Sequence, residues 1–488
     1  MAEQLLNIEF DAERTLQDQI KEHLINLILG GFLPIREPLP SSRKLSEVLG
    51  VSRNTVSLIY EGMVDAGYLV SEARRGYFIA PLYHRSEQLR TNIEPEEQTH
   101  PPQWQNRFSI RPSSDTNIVK PNDWSSFEYP FIYGQIQNDF FPLKEWRQCS
   151  RKALSGNWAH YWINDQVDSD DPMLIEQLRT HILPRRGIYA DSSEIIITIG
   201  TQNSLYLLAN LLCNSATTIG LEDPGFRDAF NIFSSFGANI KLQPVDQQGI
   251  VLDERLHDCD YLYVTPSHQV PTGVELSAER RQRLLTMAKE QDIVLIEDDY
   301  DSEINVQNNP IPALKAMDRD QRVIYTGSLS KSISPGLRLG YMVADEELIA
   351  EIRALRRLMY RHPPTINQRQ VALFLSQGHY EAYLRKIRAL YTQKEKRMSA
   401  ALEEYLPSMI TTPISNGSSS VWLEAFKEID TEKLSWQASR KSILIEPGAS
   451  HFLRESPPSH YFRLGFSAIA AHKIEPGIKA LSEVIDHC

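Results

Sequence analysis

The chain has 488 residues, of which 41% are hydrophobic and 23% charged, with four cysteines and a formal net charge of -12. That length exceeds one ordinary domain and implies two or three cores; no apolar run approaches the roughly 20 residues of a membrane span, and the start lacks the basic-then-apolar pattern of a secretory leader. Cys149, Cys213, Cys259 and Cys488 are too scattered for a metal-spaced set, so a soluble, cytoplasmic protein in a reducing compartment is expected, with no membrane partner.

The acidic balance excludes whole-surface attraction to nucleic acid but not a local basic face. Between Arg36 and Arg75 six Lys or Arg residues stand against five acidic ones, so arrangement has to decide there. Leu16, Ile20, Leu24, Leu27 and Ile28 recur at helical spacing, and Gly30-Gly31 closes that helix. Pro34, Pro38 and Pro40 keep the next stretch extended. Leu45, Val48 and Leu49 predict a short second helix, Gly50-Val51 a tight turn, and Ser52 the cap of a third helix reaching Ala66. Val56, Ile59, Tyr60, Met63 and Val64 form the buried side of that helix, so Arg53, Asn54, Thr55 and Ser57 face outward from its first turn. Two helices joined by a short turn, with a polar first turn on the second, fit a major groove. The runs Tyr68–Val70 and Tyr77–Ile79 then predict a hairpin with Arg74-Arg75-Gly76 at its bend, a wing within reach of phosphates. On spacing alone, a plain helical bundle with a solvated hairpin remains the alternative.

The strings Leu39-Pro-Ser-Ser-Arg43, Leu49-Gly-Val-Ser-Arg-Asn-Thr-Val56, Gly67-Tyr-Leu69 and Gly76-Tyr-Phe78 resemble the winged helix-turn-helix of GntR-type bacterial regulators. The resemblance runs almost unbroken from Leu33 to Ala80. It implies that Arg43 and Arg53 meet double-stranded operator DNA, with Ser42, Asn54 and Thr55 beside them and Arg75 at the wing. A dimer on two half-sites is the mode it implies.

From Pro81 to Pro121 the chain turns polar and proline-bearing and loses all amphipathic period, which reads as a linker. Beyond it, short apolar runs at Glu194–Ile199, Tyr261–Val264, Ile293–Ile296 and Arg322–Tyr325 alternate with helical stretches. Such alternation favours an α/β body on a mainly parallel sheet, with functional loops after the carboxyl ends of the strands. Four polar clusters follow such ends. Gly200-Thr-Gln202 opens a helix and suits a phosphate, or is an ordinary cap. Glu222-Asp-Pro-Gly-Phe226 offers an aromatic face, which in most such places is core. Glu297-Asp-Asp-Tyr300 offers a carboxylate for a protonated pyridine nitrogen, with Mg²⁺ as competitor, although no second acidic cluster accompanies it. Tyr325-Thr-Gly-Ser-Leu-Ser-Lys331, with Arg338 beyond, places a lone lysine suited to a Schiff base beside groups able to hold a phosphate, Ser328, Ser330 and Arg338. No GxGxxG or GxxxxGK[ST] string occurs, so a dinucleotide or nucleoside triphosphate is not supported.

Together with Phe140-Phe-Pro-Leu-Lys-Glu-Trp146, Thr265-Pro-Ser-His-Gln-Val-Pro-Thr-Gly273 and Tyr461-Phe-Arg-Leu-Gly-Phe466, these clusters resemble a fold-type-I, pyridoxal-phosphate-dependent aminotransferase from Asp139 to Ile485. The resemblance implies pyridoxal 5'-phosphate as cofactor, Lys331 as its Schiff-base lysine, Asp298 at the ring nitrogen, Tyr300 at the ring oxygen and Phe226 stacked on the ring. It places Thr201, Gln202, Ser328, Ser330 and Arg338 around the phosphate, and Arg463 on an effector carboxylate. Two segments depart from the pattern: the stretch Tyr161–Leu174, which in the family borders the ligand pocket, and Phe226, where a tyrosine is commoner.

A GntR-type reader on such a body is similar to the MocR subfamily of transcriptional regulators. The expected architecture is an α/β chain with a winged helix-turn-helix over 1–80, a linker over 81–121 and an aminotransferase-like effector domain over 122–488. The expected function is a homodimeric regulator sensing a small amine or amino-acid-like effector without productive turnover. An active aminotransferase carrying a DNA-binding head is the alternative.

Overall fold

The computed structural model describes residues 8, 10–11, 14–83, 102–165, 169–304, 312–411 and 419–487, and contacts divide the chain into two compact units, Met1–Ser109 and Ile110–Cys488. Residues 84–101 of the expected linker and Cys488 lie outside the described residues.

In the first unit α1 (Leu16–Leu29) is capped by Thr15, whose hydroxyl accepts from the Asp18 N–H. Ser41 caps α2 (Ser42–Leu49), which ends at Gly50 with φ +66°, the left-handed conformation that glycine adopts without strain. That turn leads into α3 (Arg53–Asp65), capped by Ser52 through the Thr55 N–H at 3.1 Å. Ile20, Leu24, Leu45, Val56, Ile59 and Met63 share one core, each burial contributing about 2 kcal/mol. Tyr60 packs there too and donates its hydroxyl to the Pro40 carbonyl at 2.8 Å, which pins the proline-bearing stretch. Strands β1 (Leu69–Glu72) and β2 (Gly76–Ile79) pair antiparallel from Leu69 opposite Ile79 to Glu72 opposite Gly76, giving the expected wing.

The second unit is built on an eight-stranded sheet. Its strands are β3 (Ile195–Thr198), β4 (Thr218–Asp223), β5 (Asn239–Asp246), β6 (Gly249–Ile250), β7 (Tyr261–Val264), β8 (Val294–Asp299), β9 (Val323–Ser328) and β10 (Gly340–Val343), in the order β3-β10-β9-β8-β7-β4-β5-β6. The run β5-β4-β7-β8-β9 is parallel, whereas β10 is antiparallel to both its neighbours. The unbroken apolar runs Ile195–Ile197, Leu262–Val264 and Leu295–Ile296 are buried, as strands covered on both faces must be. Helices α4 (Thr201–Leu212), α5 (Arg227–Ser235), the short α6 (Leu329–Ser332) and α7 (Glu346–Tyr360) follow strand ends.

A second sheet combines β11 (Ile410–Thr411), β12 (Ser420–Glu424), β13 (Glu446–Pro447) and β14 (Tyr461–Gly465) in the order β11-β12-β14-β13. It shares a core, through Leu423, Phe462 and Leu464, with α8 (His379–Tyr405) and α9 (Ile474–Ile485). Its register sets Arg463 opposite both Trp422 and Glu446. No helix among the described residues is long and apolar enough to cross a membrane.

Two findings differ from the sequence reading. Residues 110–121, read as linker, group with the second unit, where Asn231 Nδ2 donates to the Thr116 carbonyl at 2.9 Å. Polar side-chain bonds of this kind leave no periodic trace. The stretch Tyr161–Leu174, of which 166–168 lie outside the described residues, is tied down by arginines. Asp171 pairs with Arg369 at 2.7 Å, and the Arg369 guanidinium lies 3.7 Å from the Tyr161 ring centroid.

Asp170 anchors the start of the sheet. Its carboxylate pairs with Arg356 at 2.7 Å and Arg353 at 2.9 Å on α7 and accepts the Ile197 N–H of β3. Asp170→Ala leaves the fully buried Arg356 without its carboxylate, and is expected to destabilise the second unit by about 3 kcal/mol. A lowered urea midpoint reads this; an unchanged midpoint would mean that solvent compensates the two arginines.

Candidate functional site

The carboxyl ends of β3, β8 and β9 and the amino end of β10 meet at one edge of the larger sheet, where a cavity of about 390 Å³ opens. Thr201, Gln202, Phe226, Asp298, Tyr300, Ser328, Ser330, Lys331, Arg338 and Arg463 all line it. The described residues of 161–174 are absent from its wall, because Asp170, Asp171 and Tyr161 are committed to the arginines named above.

Lys331 stands on α6, whose first turn is capped by the Ser328 hydroxyl accepting the Lys331 N–H at 3.2 Å. Its Nζ lies 3.7 Å from the centroid of the Tyr133 ring and 5.6 Å from that of Tyr300. The residue is half-buried, but its ammonium end is enclosed, and that desolvation, seconded by the Lys120 charge, pushes the amine down to about 7. Room for both amines comes from Gly134 at φ +78°: a Cβ there would stand 3.2 Å from Lys331 Nζ and 3.1 Å from Lys120 Nζ.

The acidic run at the end of β8 splits its three carboxylates among three tasks. Glu297 accepts the Leu314 and Lys315 N–H groups at 2.8 and 2.9 Å, capping a helical turn. Asp299 pairs with Arg186 at 2.7 Å and accepts the Tyr325 hydroxyl. Asp298 faces the cavity, 2% exposed, and accepts the Tyr263 hydroxyl at 2.8 Å and the Thr326 hydroxyl at 3.3 Å. Burial raises its carboxyl to about 7 against the lowering effect of those two hydrogen bonds. Tyr300 donates its hydroxyl to the His268 carbonyl at 2.8 Å. Phe226, just before α5, offers its ring to the cavity.

At the far end Gly200, with φ +81°, starts α4, whose first N–H groups have no acceptor within the helix. Arg338 crosses this turn, donating Nη2 to the Ile199 carbonyl at 3.2 Å. A Cβ on Gly200 would lie 3.2 Å from that same nitrogen, and one on Gly340 2.8 Å from the Gly200 carbonyl carbon, so two glycines permit the crossing. The Gln202 side chain donates to Asp228 at 3.1 Å. Ser330 is buried, and its hydroxyl exchanges bonds with the Leu339 backbone, which makes it a brace of the turn as much as a wall residue.

Arg463 lies on the second sheet, its guanidinium 3.9 Å from the Tyr133 centroid. Glu446 contacts its Nη2 at 2.5 Å, and His451 Nε2 lies 2.8 Å from the same carboxylate oxygen. Burial pushes the Glu446 carboxyl up, but Arg463 and His451 outweigh it and hold it at about 2.

In the first unit, Arg53 and Asn54 are exposed at the opening of α3, and Ser42 is half-buried beside exposed Arg43 at the opening of α2. The Arg43 side chain is 80% exposed and pairs with Glu47 of its own helix at 3.3 Å. The Thr55 hydroxyl is shared with Ser52 at 2.8 Å, so the cap already uses it. Arg75 is exposed at the wing, paired with Glu72 and 5.1 Å from the Phe78 centroid.

Lys120, Tyr133, Gly134, Asp228, Tyr263 and Glu446 escape sequence reasoning although they line the cavity or contact its wall. The apolar run Phe131-Ile132 ending at Tyr133-Gly134 carries a strand-end signature that could have drawn attention to that pair. Lys120 and Glu446 have no local signature.

Comparison with known proteins follows the same division. Residues 16–79 match the family described as bacterial regulatory proteins, gntR family, and residues 134–481 match aminotransferase class I and II. The chain is similar to the HTH-type transcriptional regulator TauR of Rhodobacter capsulatus, 36% identical over 471 residues and 96% of each chain. It is also similar to the probable rhizopine catabolism regulatory protein MocR of Rhizobium meliloti, 27% identical over 98% of this chain and 95% of that one. Among solved structures it resembles LysN, an α-aminoadipate aminotransferase from Thermus thermophilus complexed with N-(5'-phosphopyridoxyl)-L-leucine. That likeness has a TM-score of 0.71 at 25% identity, over 79% of this chain and 98% of that one.

The lowered Lys331 amine makes a pH prediction. Only the neutral amine acylates, so in ligand-free protein the reaction of Lys331 with an acetylating reagent should rise with a midpoint near pH 7. Exposed lysines, with ordinary values of about 10.4, should keep climbing far beyond it. Peptide mass mapping reads each site separately. A Lys331 profile that tracks the exposed lysines would contradict the enclosure of its ammonium.

Proposed function

The chain belongs to the MocR type of GntR-family regulators, a helix-turn-helix head fused to an aminotransferase-like domain, and from that premise we propose that the larger unit binds pyridoxal 5'-phosphate at Lys331 and senses a small amine that also bears an anionic group. The observation that carries this reading is one cavity lined by a lysine of lowered pKa, a buried carboxyl at Asp298 and the opening turn of a helix beside Arg338.

The donor set suits that cofactor. When bound, it supplies an aldehyde that condenses with primary amines and a ring that withdraws electrons. Lys331 provides an amine half-neutral near pH 7, able to act as nucleophile and to hold or release a proton at Nζ. A protonated ring nitrogen held beside Asp298 would favour its carboxylate form and bring its raised pKa back down. The N–H groups opening α4 at Thr201 and Gln202, with Arg338 and Ser328 lining the same cavity, would provide donors for a phosphate dianion, and Ser330 would join them only by turning its hydroxyl from the Leu339 carbonyl. Phe226 and Tyr300, which line the same cavity, would flank the ring, and Arg463 would hold the effector anion.

On the head, Arg53 and Arg43 are read as the operator contacts, with Ser42, Asn54 and Thr55 beside them and Arg75 reaching phosphates from the wing. A homodimer in the cytoplasm would present two such heads to two half-sites. The effector acts on transcription to the extent that it binds two arrangements of the dimer unequally. A working aminotransferase with a DNA-binding head is the second reading, favoured by the same lysine. Product formed from an amine and a keto acid separates the two.

The testing experiment is an absorbance spectrum of the protein mixed with pyridoxal 5'-phosphate. Lys331→Ala should lose the protein-bound cofactor band while remaining folded; a normal band in that variant would sink the lysine assignment. Arg53→Ala should keep the band and bind operator DNA more weakly, with the salt slope reduced by about one if the contact is to phosphate. Unchanged operator affinity at fixed salt would remove Arg53 from the interface.

A further inference from the structure

We propose that Lys120 is a second contact for the anionic end of the effector, so that the cavity selects its amine by a paired guanidinium and ammonium; this rests on the reading of the site given above. Arg463 alone is poorly equipped for the task. It is 3% exposed, and Glu446, its cross-strand neighbour, already occupies Nη2 at 2.5 Å. A buried ion pair of this kind presents little net charge to a ligand. His451 Nε2, 2.8 Å from the Glu446 carboxylate, keeps that carboxylate from swinging clear.

Part of the arginine is nevertheless waiting for an acceptor. Its Nε is buried with no hydrogen-bond partner among the described residues. A buried guanidinium N–H left this way is costly, and the cost is removed when an anion arrives. The missing positive charge stands beside it. Lys120 Nζ lies 5.7 Å from the Tyr133 centroid, over the same ring as Arg463, and adjoins Gly134 with Lys331. Burial lowers the Lys120 amine, Glu446 opposes that and Arg463 adds to it, so the amine stands within electrostatic range of the Arg463–Glu446 pair, while Asp228, the partner of Gln202, draws it as well. The residue as a whole is exposed although its ammonium end is desolvated, so that end can turn onto a ligand without breaking core packing. Its segment is fixed to the second unit by the bond from Asn231 to the Thr116 carbonyl, so its reach is set by the fold. The occupant is therefore a compact primary amine whose anion has acceptors for both a guanidinium edge and an ammonium.

Full-length protein loaded with pyridoxal 5'-phosphate is titrated with β-alanine and with propylamine while the cofactor absorbance is followed. The two probes share an amine and a carbon count and differ in the terminal carboxylate. The parent should respond to β-alanine at the lower concentration. Lys120→Met should raise the β-alanine midpoint roughly tenfold and leave the propylamine midpoint in place, and Lys120→Arg should restore most of the preference. An unchanged ratio of the two midpoints in Lys120→Met overturns the Lys120 assignment and leaves the reading of the site standing. A parent whose absorbance ignores both amines overturns that reading and this proposal with it.

Discussion

Lys331, Arg463 and Lys120 crowd around one tyrosine, at 3.7, 3.9 and 5.7 Å from the Tyr133 ring centroid. An aromatic face attracts a cation by about 0.5–2 kcal/mol, but like charges in a poorly solvated site repel strongly. The molecule relieves the repulsion in two ways. Burial lets Lys331 shed its proton near pH 7, and Glu446 keeps its negative charge because its pKa is held at about 2. A neutral amine is what an aldehyde requires, and a compensated guanidinium can be buried at 3% exposure. The chemistry of the cavity follows from how that charge is shared.

No single element could assemble this arrangement. The strand register sets Asp298 opposite Thr326, Ser328 opposite Gly340 and Gly340 opposite Thr198, which brings four strands to one sheet edge. The second sheet supplies Arg463 and Glu446 from adjacent strands. The two sheets are tied at the cavity wall. Gly225 N donates to the His451 carbonyl at 2.9 Å, and Arg227 Nε to the Ser450 carbonyl at 2.7 Å, on either side of Phe226. The aromatic wall and the network holding Arg463 are therefore joined through one short loop.

What could be read from the sequence was what local physics writes there. The cap at Ser52, the turn at Gly50 and the 3.6-residue period around Val56 and Ile59 declare the head before any fold is known. The lysine segment was legible for the same reason, since Ser328 and Lys331 lie within one turn. The choice of Asp298 over Glu297 and Asp299 came from the resemblance to aminotransferases, and the separate partners of the three carboxylates show in the structure. Pairings across strands left no trace: nothing near Glu446 announces Arg463, and nothing near Lys120 announces a cavity. The tasks of Ser330 and of Tyr161–Leu174 also depended on distant partners, the Leu339 backbone in one case and Arg356 and Arg369 in the other. Sequence reasoning assigned the lysine and its neighbours, and tertiary structure supplied their counter-charges.

The proposed tasks divide between the two units, operator contacts on the helix-turn-helix head and ligand chemistry on the aminotransferase-like unit. Their connection includes residues 84–101, which lie outside the described part of the chain. The claim on which everything about the larger unit rests is that one lysine among many carries the cofactor. Borohydride reduction of the cofactor-loaded protein, followed by peptide mass analysis, tests it most directly. A pyridoxyl adduct on the peptide that holds Lys331 is the expected result; an adduct on Lys120 or any other lysine instead, or none, would contradict it.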